Sequence, residues 1–396
     1  MTPTIRQAVF RLVLSQISIN TVMTGMRMAG PLMVLRQGQG ALTAGLLMSL
    51  FAVSQVLLAL PAGRLTNRYG LRKPVWLAAA LVVTGAALGA IWPRLEVLCV
   101  SALLCGAANN LTLISVQRHA GLLTETPAQL RQVFSWMAIG PSASNFLGPM
   151  MAGVVIDAAG YRVAFLALAF VPMVALALIG RVTEIDRVAP PEGEPKGSAW
   201  DLLRNAAFAR LMAVNWAMAS CWNVHSFIVP LIGVERGVSA TVIGSILGSF
   251  AIAATVIRVL IPCLARHLHE ATVIGGAMLV SGLVLGAYPF APNPWWMGMA
   301  SALLGLVLGS VQPMVMSALH QITPRHRHAE ALALRTMAIN GSSAIMPTVF
   351  GLAGAYVGAA GVSWAVGLLV GGLAWLPRSL RGLLDQPPGP QRVMGR

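Results

Sequence analysis

The chain has 396 residues, 57% of them hydrophobic and only 10% charged, with a net charge of +15 and a mean hydropathy of +0.75. A soluble domain clothes its surface with roughly 25% charged residues, so a water-facing fold is excluded and lipid is most of the solvent. The basic excess then belongs to cytoplasmic loops, with no nucleic acid expected as a partner.

Apolar runs of about 18–25 residues match a hydrocarbon core of about 30 Å. Backbone polar groups in lipid need internal partners, so these runs read as helices. The ten-residue alternation of a membrane β-barrel is absent. The predicted spans are 8–35, 42–63, 74–92, 95–117, 132–156, 162–180, 208–232, 239–264, 271–290, 295–319, 335–357 and 360–377. Arg6 and Arg11 precede the first run, which is too long for a signal-peptide core and lacks a clear cleavage site. One long break, 181–207, contains Pro190-Pro191-Glu192-Gly193-Glu194-Pro195-Lys196-Gly197 and reads as a linker. The expected fold is an all-α membrane protein of twelve transmembrane helices in two six-helix bundles. Residues 1–180 form one bundle, 181–207 a central cytoplasmic loop, 208–378 the second bundle and 379–396 a cytoplasmic tail.

Orientation follows from the 27 Lys and Arg. With the N-terminus inside, only Arg36, Arg94, Arg162 and Arg236 fall outside, and only Arg27 and Arg258 within spans. All the others are cytoplasmic, which places both termini inside a multi-pass protein of the inner (plasma) membrane. Cys99, Cys105, Cys221 and Cys263 lie in or at the ends of apolar runs, at no metal-like spacing, and read as small buried hydrophobes.

The halves resemble each other. Ser101-Ala102-Leu103-Leu104 recurs as Ser301-Ala302-Leu303-Leu304, and Met137-Ala138-Ile139 as Met337-Ala338-Ile339, at one shared offset in corresponding helices. Each match is short; together they point to a duplicated architecture.

Between the second and third spans stands Gly63-Arg64-Leu65-Thr66-Asn67-Arg68-Tyr69-Gly70-Leu71-Arg72-Lys73. This resembles the signature of the major facilitator superfamily, Gly-x-Leu-x-Asp-Arg-x-Gly-Arg-Lys/Arg, and span number, linker and motif placement agree along the whole chain. The resemblance implies a gating loop at Gly63, Asn67, Arg68, Gly70, Arg72 and Lys73 that latches the two halves. Asn67 replaces the family's acid, which leaves only a hydrogen bond for the latch. The fifth span carries Gly140, Gly148, Pro149 and Gly153, similar to the family's antiporter-associated helix-5 motif. Close helix packing explains the same residues without any coupling role. The family's helix-4 arginine has no counterpart; Ser101 lies near that place.

The acidic residues all fall in loops, tails or helix ends, so no carboxylate is expected at the bilayer centre. Arg27 and Arg258 are the reverse case. A cation in lipid costs at least about 2.5–3.5 kcal/mol, so each faces a partner or an aqueous cavity. They lie about 12 Å and 10 Å from the ends of their helices at 1.5 Å per residue. Their differing depths argue against both holding one ligand group. Either they anchor helices, or they draw an anion into a central cavity through the planar guanidinium fork. Trp222, Asn223 and His225 in the seventh span, with Asn20, Asn109, Asn145, Gln312 and Asn340, are further candidates to bind substrate. All of them also serve as ordinary interhelical polar contacts. Asn223 and His225 cannot share a helix face. An unperturbed histidine titrates near neutrality, which makes His225 the candidate for a coupling proton. Arg325-His326-Arg327-His328 reads as cytoplasmic charge and not a metal site.

No phosphate-binding loop, catalytic triad or metal-ligand cluster appears, so no enzyme activity, cofactor or metal is expected. The reading is a monomeric secondary transporter of a small solute working by alternating access, exporting a small organic anion or an amphipathic metabolite. The alternative is multidrug efflux of neutral or hydrophobic compounds, suggested by 20 methionines. A non-transporting membrane sensor or scaffold is the reading from another class.

Overall fold

The computed structural model describes residues 3–123, 127–184, 199–264, 270–323 and 327–377. These hold α1 (Pro3–Arg36), α2 (Ala41–Leu57), α3 (Ala59–Tyr69), α4 (Arg72–Ile91), α5 (Leu95–Leu122), α6 (Pro127–Met137), α7 (Ile139–Phe170), α8 (Met173–Ile179), α9 (Ala206–Glu235), α10 (Ala240–Leu264), α11 (Glu270–Ala287), α12 (Pro294–Ile322) and α13 (His328–Gly372), with no strand among the described residues. Most of the linker, the basic pair Arg325 and His326, and the tail 379–396 lie outside the described residues.

Among the described residues, eight stretches are long and apolar enough to cross a membrane, or nine if α2 and α3, bent by 49° at Leu58, form one span. The sequence pattern counted twelve, and the difference has physical sources. Gln132–Ile179 and Glu330–Gly372, of 48 and 43 residues, each contain two of the expected spans. At 1.5 Å per residue each is more than twice the ~30 Å hydrocarbon core. Each is broken by a glycine with positive φ, Gly160 (83°) and Gly358 (68°), a conformation that side-chain-bearing residues rarely adopt. The chain reverses at the first break. A Cβ on Gly25 of α1 would lie 3.1 Å from the Gly148 carbonyl and 2.8 Å from the Leu168 side chain, residues about 30 Å apart along a straight helix. α1 is missing from the apolar stretches because its inward residues are polar. Ser15, Gln16, Ser18 and Thr21 are all buried, so protein and not lipid surrounds them.

Outward, the spans carry the opposite character. Leu57, Leu60, Val259, Phe170 and Leu368 are among the most exposed side chains, and exposed Trp92, Trp295, Trp296 and Trp375 lie at or beyond helix ends, where aromatic rings suit the interface. α9 differs. Its apolar window is 83% buried, against 28–50% for the other spans, which makes it an interior helix.

Two long seams join the halves, α2 along α13 and α7 along α10. Each depends on glycine. A Cβ on Gly45 would overlap the Pro347 carbonyl, and one on Gly244 the Pro149 carbonyl. Within each half the pattern repeats, with Gly106 against the Phe51 carbonyl and Gly305 against the Phe250 carbonyl. The duplication faint in the sequence is thus explicit in the backbone contacts. Two places that admit no side chain, Gly45 with Gly244 and Gly106 with Gly305, recur at one offset.

Candidate substrate cavity

Between the seams lie two small cavities that share Arg27 and Trp222. The first, about 70 Å3, is lined by Thr24, Arg27, Asn145, His225 and Ser226 together with Met28, Met48 and Phe250. The second, about 160 Å3, is lined by Met218, Trp222, Leu308 and Ile339, with Arg27, Asn223, Gln312 and Ser343 as its polar members. Neither lining contains an acidic residue.

α1 and α9 cross at this level. Arg27 donates one hydrogen bond, Nη2 to Asn223 Oδ1 at 3.3 Å, and its Nε has no partner. Asn223 is oriented by its own donation to Ser342 Oγ at 3.3 Å, and Ser342 lies 3.2 Å from Ser220 Oγ. The amide therefore offers its oxygen to Arg27. Only two ion pairs occur among the described residues, Arg204 with Asp201 and Arg327 with Glu330. Arg27 is a cation without a counter-ion, held in a protein cavity by a neutral acceptor.

His225 and Asn223 fall on opposite sides of Trp222, as two-residue spacing requires, and line different cavities. His225 Nε2 lies 2.8 Å from Ser301 Oγ, Tyr288 Oη lies 3.0 Å from the same hydroxyl, and the imidazole stacks on Phe250 at 4.5 Å. Trp222 is clamped. Phe250 meets it edge-on at 4.5 Å, and the Arg258 guanidinium lies 5.9 Å from its ring centroid, within cation–π range. Arg258 thus holds a wall residue and lines neither cavity.

Of the predicted binding residues, Arg27, Asn145, Trp222, Asn223, His225 and Gln312 line the cavities. Asn20, Asn109 and Asn340 do not. The sequence reading missed Arg335, which it placed among cytoplasmic charges. Arg335 donates to Gln312 Oε1 and fixes the amide that reaches the second cavity. The signal was its helical register: Arg335, Ile339 and Ser342–Ser343 recur at four and seven to eight residues, one stripe of α13.

The gating motif is corrected in two respects. Gly63–Tyr69 is helical, part of α3, and the turn comes at Gly70 (φ 73°). The acid at this place is Glu184, from beyond α8. It accepts from the backbone of Leu71 at 3.1 Å and Arg72 at 3.4 Å, while the Arg72 guanidinium donates to Val182 carbonyl at 2.8 Å and 3.1 Å. Asn67 is exposed, and Arg68 and Lys73 lie over Tyr69. These contacts tie the motif to its own half and not across the halves. In the helix-5 motif, Gly140 packs on Gln16, Gly148 on Thr21 and Thr24, and Gly153 on Ala240, so close packing accounts for it.

The bonds that cross the halves sit elsewhere. Asp157 of α7 accepts from Ala240 N at 2.9 Å and Thr241 N at 2.6 Å, the first residues of α10. Arg36 donates to Val238 carbonyl at 3.1 Å, and Thr348 donates through N (3.1 Å) and Oγ1 (2.8 Å) to Ser49 Oγ. With Arg27–Asn223, these contacts run from the Asp157 end of the bundle to the cavity level.

The family model of the Major Facilitator Superfamily matches residues 14–272 and 211–393. The chain belongs to the major facilitator superfamily. No curated protein matches it. Among solved structures this facilitator is similar to a POT family transporter in complex with a thioalcohol-conjugated peptide (TM-score 0.80, 13% identity, 97% of this chain and 100% of that one). It is similar also to a POT family transporter in complex with 5-aminolevulinic acid (0.79, 15%, 96% of each) and to the nucleoside transporter NupG (0.70, 13%, 95% and 99%). At such identities the likeness is one of fold. This facilitator is a multi-pass membrane transporter and not an enzyme.

Proposed function

We propose that this facilitator carries a small organic anion by alternating access, with Arg27 as the group that receives the negative charge. The supporting observation is a guanidinium in the central cavity with one neutral partner and no acid in the lining. Removing a charged hydrogen-bond partner costs about 1.5–3 kcal/mol, and a bound carboxylate or phosphate supplies what Arg27 lacks. The lining also disfavours a free ammonium, which has no carboxylate to meet.

In this reading the two broken stretches count as two passes each. Together with α1 and the bent α2–α3 pair they make twelve spans in two six-helix bundles. The distribution of Lys and Arg places both termini on the cytoplasmic side of the inner membrane. Asp157 then lies at the outer end, and the bonds across the halves close the outer side. The small cavities accept a metabolite only as the halves part. The direction proposed is export, which efflux measured against uptake distinguishes. His225, which lines the first cavity, is the candidate site for a coupling proton, with no partner subunit required.

The test is efflux of an anion and drug panel from proteoliposomes, with and without a pH gradient. Arg27→Gln, with the protein still monodisperse, lowers anion transport at least about ten-fold, the equivalent of 1.4 kcal/mol. Rates indifferent to Arg27→Gln favour the second reading, efflux of neutral hydrophobic compounds, which the methionines Met28, Met48 and Met218 at the cavities support. Rates unmoved by the gradient exclude His225 as a coupling site.

A further inference from the structure

We infer that the substrate anion is an aromatic carboxylate, with its charge on Arg27 and its ring against Trp222. The inference rests on the anion reading above and adds the body of the molecule to its charge. The two cavities differ in size and meet at these two residues alone. The first, at about 70 Å3, is too small for a ring. The second holds about 160 Å3, with Met218, Trp222, Leu308 and Ile339 as its apolar members. An apolar cavity of about 150 Å3 accommodates benzene. One flat ring fills the larger space, and a carboxylate on that ring reaches Arg27 at the junction.

Trp222 is built as a fixed surface. Phe250 abuts it edge-on and Arg258 lies over its ring, so the indole plane is set before a ligand arrives, and aromatic pairs gain beyond their buried area. Asn223, held by Ser342, and Gln312, held by Arg335, offer neutral polar edges to ring substituents. A second carboxylate meets no cation at the far end of this cavity, because Arg335 donates to Gln312 and lines neither cavity. An α-amino group has no acid to meet in either lining. The class is therefore an aromatic monocarboxylate without a free ammonium.

The test is equilibrium binding of tritiated benzoate to the full chain in lipid nanodiscs, by scintillation proximity, with unlabelled competitors. Benzoate and phenylacetate compete about ten-fold more strongly than cyclohexanecarboxylate, which has the same charge and nearly the same size. Acetate and phenylalanine compete least. Trp222→Leu removes the preference of benzoate over cyclohexanecarboxylate, whereas Trp222→Phe, which keeps a ring, retains most of it and shows that the fold survives change at this position. Equal competition by aromatic and alicyclic acids, abolished by Arg27→Gln, overturns this inference and leaves the anion reading standing. No competition by any carboxylate overturns both. An aromatic preference that persists in Trp222→Leu overturns the assigned site.

Discussion

Asp157 offers the sharpest test of how the halves are held. Its carboxylate caps α10 from the opposite half through Ala240 N and Thr241 N. Loss of a capping side chain costs about 0.5–2 kcal/mol, and the charge at a helix N-terminus contributes about 0.3–1 kcal/mol within such figures. These bonds exist only while the Asp157 end is closed, so Asp157→Ala changes the closed-to-open ratio by the full amount. At about 1–2 kcal/mol that is a factor of roughly 5–30. Ala240 is fully buried at this seam, and Ala240→Cys therefore reports opening through its reaction with an impermeant maleimide. Cys105 and Cys221 are buried, and Cys99 and Cys263 are replaced by Ser in the background. While the open form is the minority, Asp157→Ala raises the labelling rate by that factor. Because Asp157 itself is exposed, raising the ionic strength speeds labelling with Asp157 present and not in Asp157→Ala. A rate unchanged within two-fold, in protein that stays monodisperse, refutes a latch at this position.

Gly45→Val forces a side chain into the Pro347 carbonyl and costs about 1–3 kcal/mol of overpacking. Scanning fluorimetry in detergent shows this as a lower Tm, whereas Gly63→Ala, with open space around it, leaves Tm in place. Glu184→Ala strips the acceptor from Leu71 N and Arg72 N, at about 0.5–2 kcal/mol. Hydrogen exchange of those two amides accelerates about 2–30-fold, and equal protection in both proteins rejects Glu184 as the cap of α4. The chain's only lysines are Lys73 and Lys196, both assigned to the cytoplasmic side. A membrane-impermeant amine reagent modifies them in inverted vesicles and not in right-side-out ones; labelling of Lys196 from outside reverses the topology.

The membrane class was legible because composition alone forbids a water-facing surface, and the helix positions were legible because apolar runs end at Gly, Pro and charge. The reversals at Gly160 and Gly358 fell between predicted spans for the same reason. What the sequence hid was helical register at the ends of spans. Arg335 looked like one more cytoplasmic cation until its turn of α13 was seen to face Gln312. Glu184 was similarly hidden, since no local pattern pairs it with a turn more than a hundred residues earlier. Asn67 had suggested a weakened latch, whereas the acid at this turn, Glu184, binds the motif within its own half. Trp222 was named as a candidate, yet its clamp by Arg258 and Phe250 depends on helices brought together only by the fold.

The seams match in their glycines and differ in their fastenings. Along α7 and α10 the fastening is the exposed Asp157 carboxylate on two backbone amides of α10. Along α2 and α13 it is a pair of neutral contacts to the buried Ser49 hydroxyl, from Thr348 N and Thr348 Oγ1. Dissolved ions therefore reach one fastening and not the other. A change of medium at the Asp157 end loosens α10 while α2 keeps its grip, and that end widens from one side, like a door hung on its dry edge.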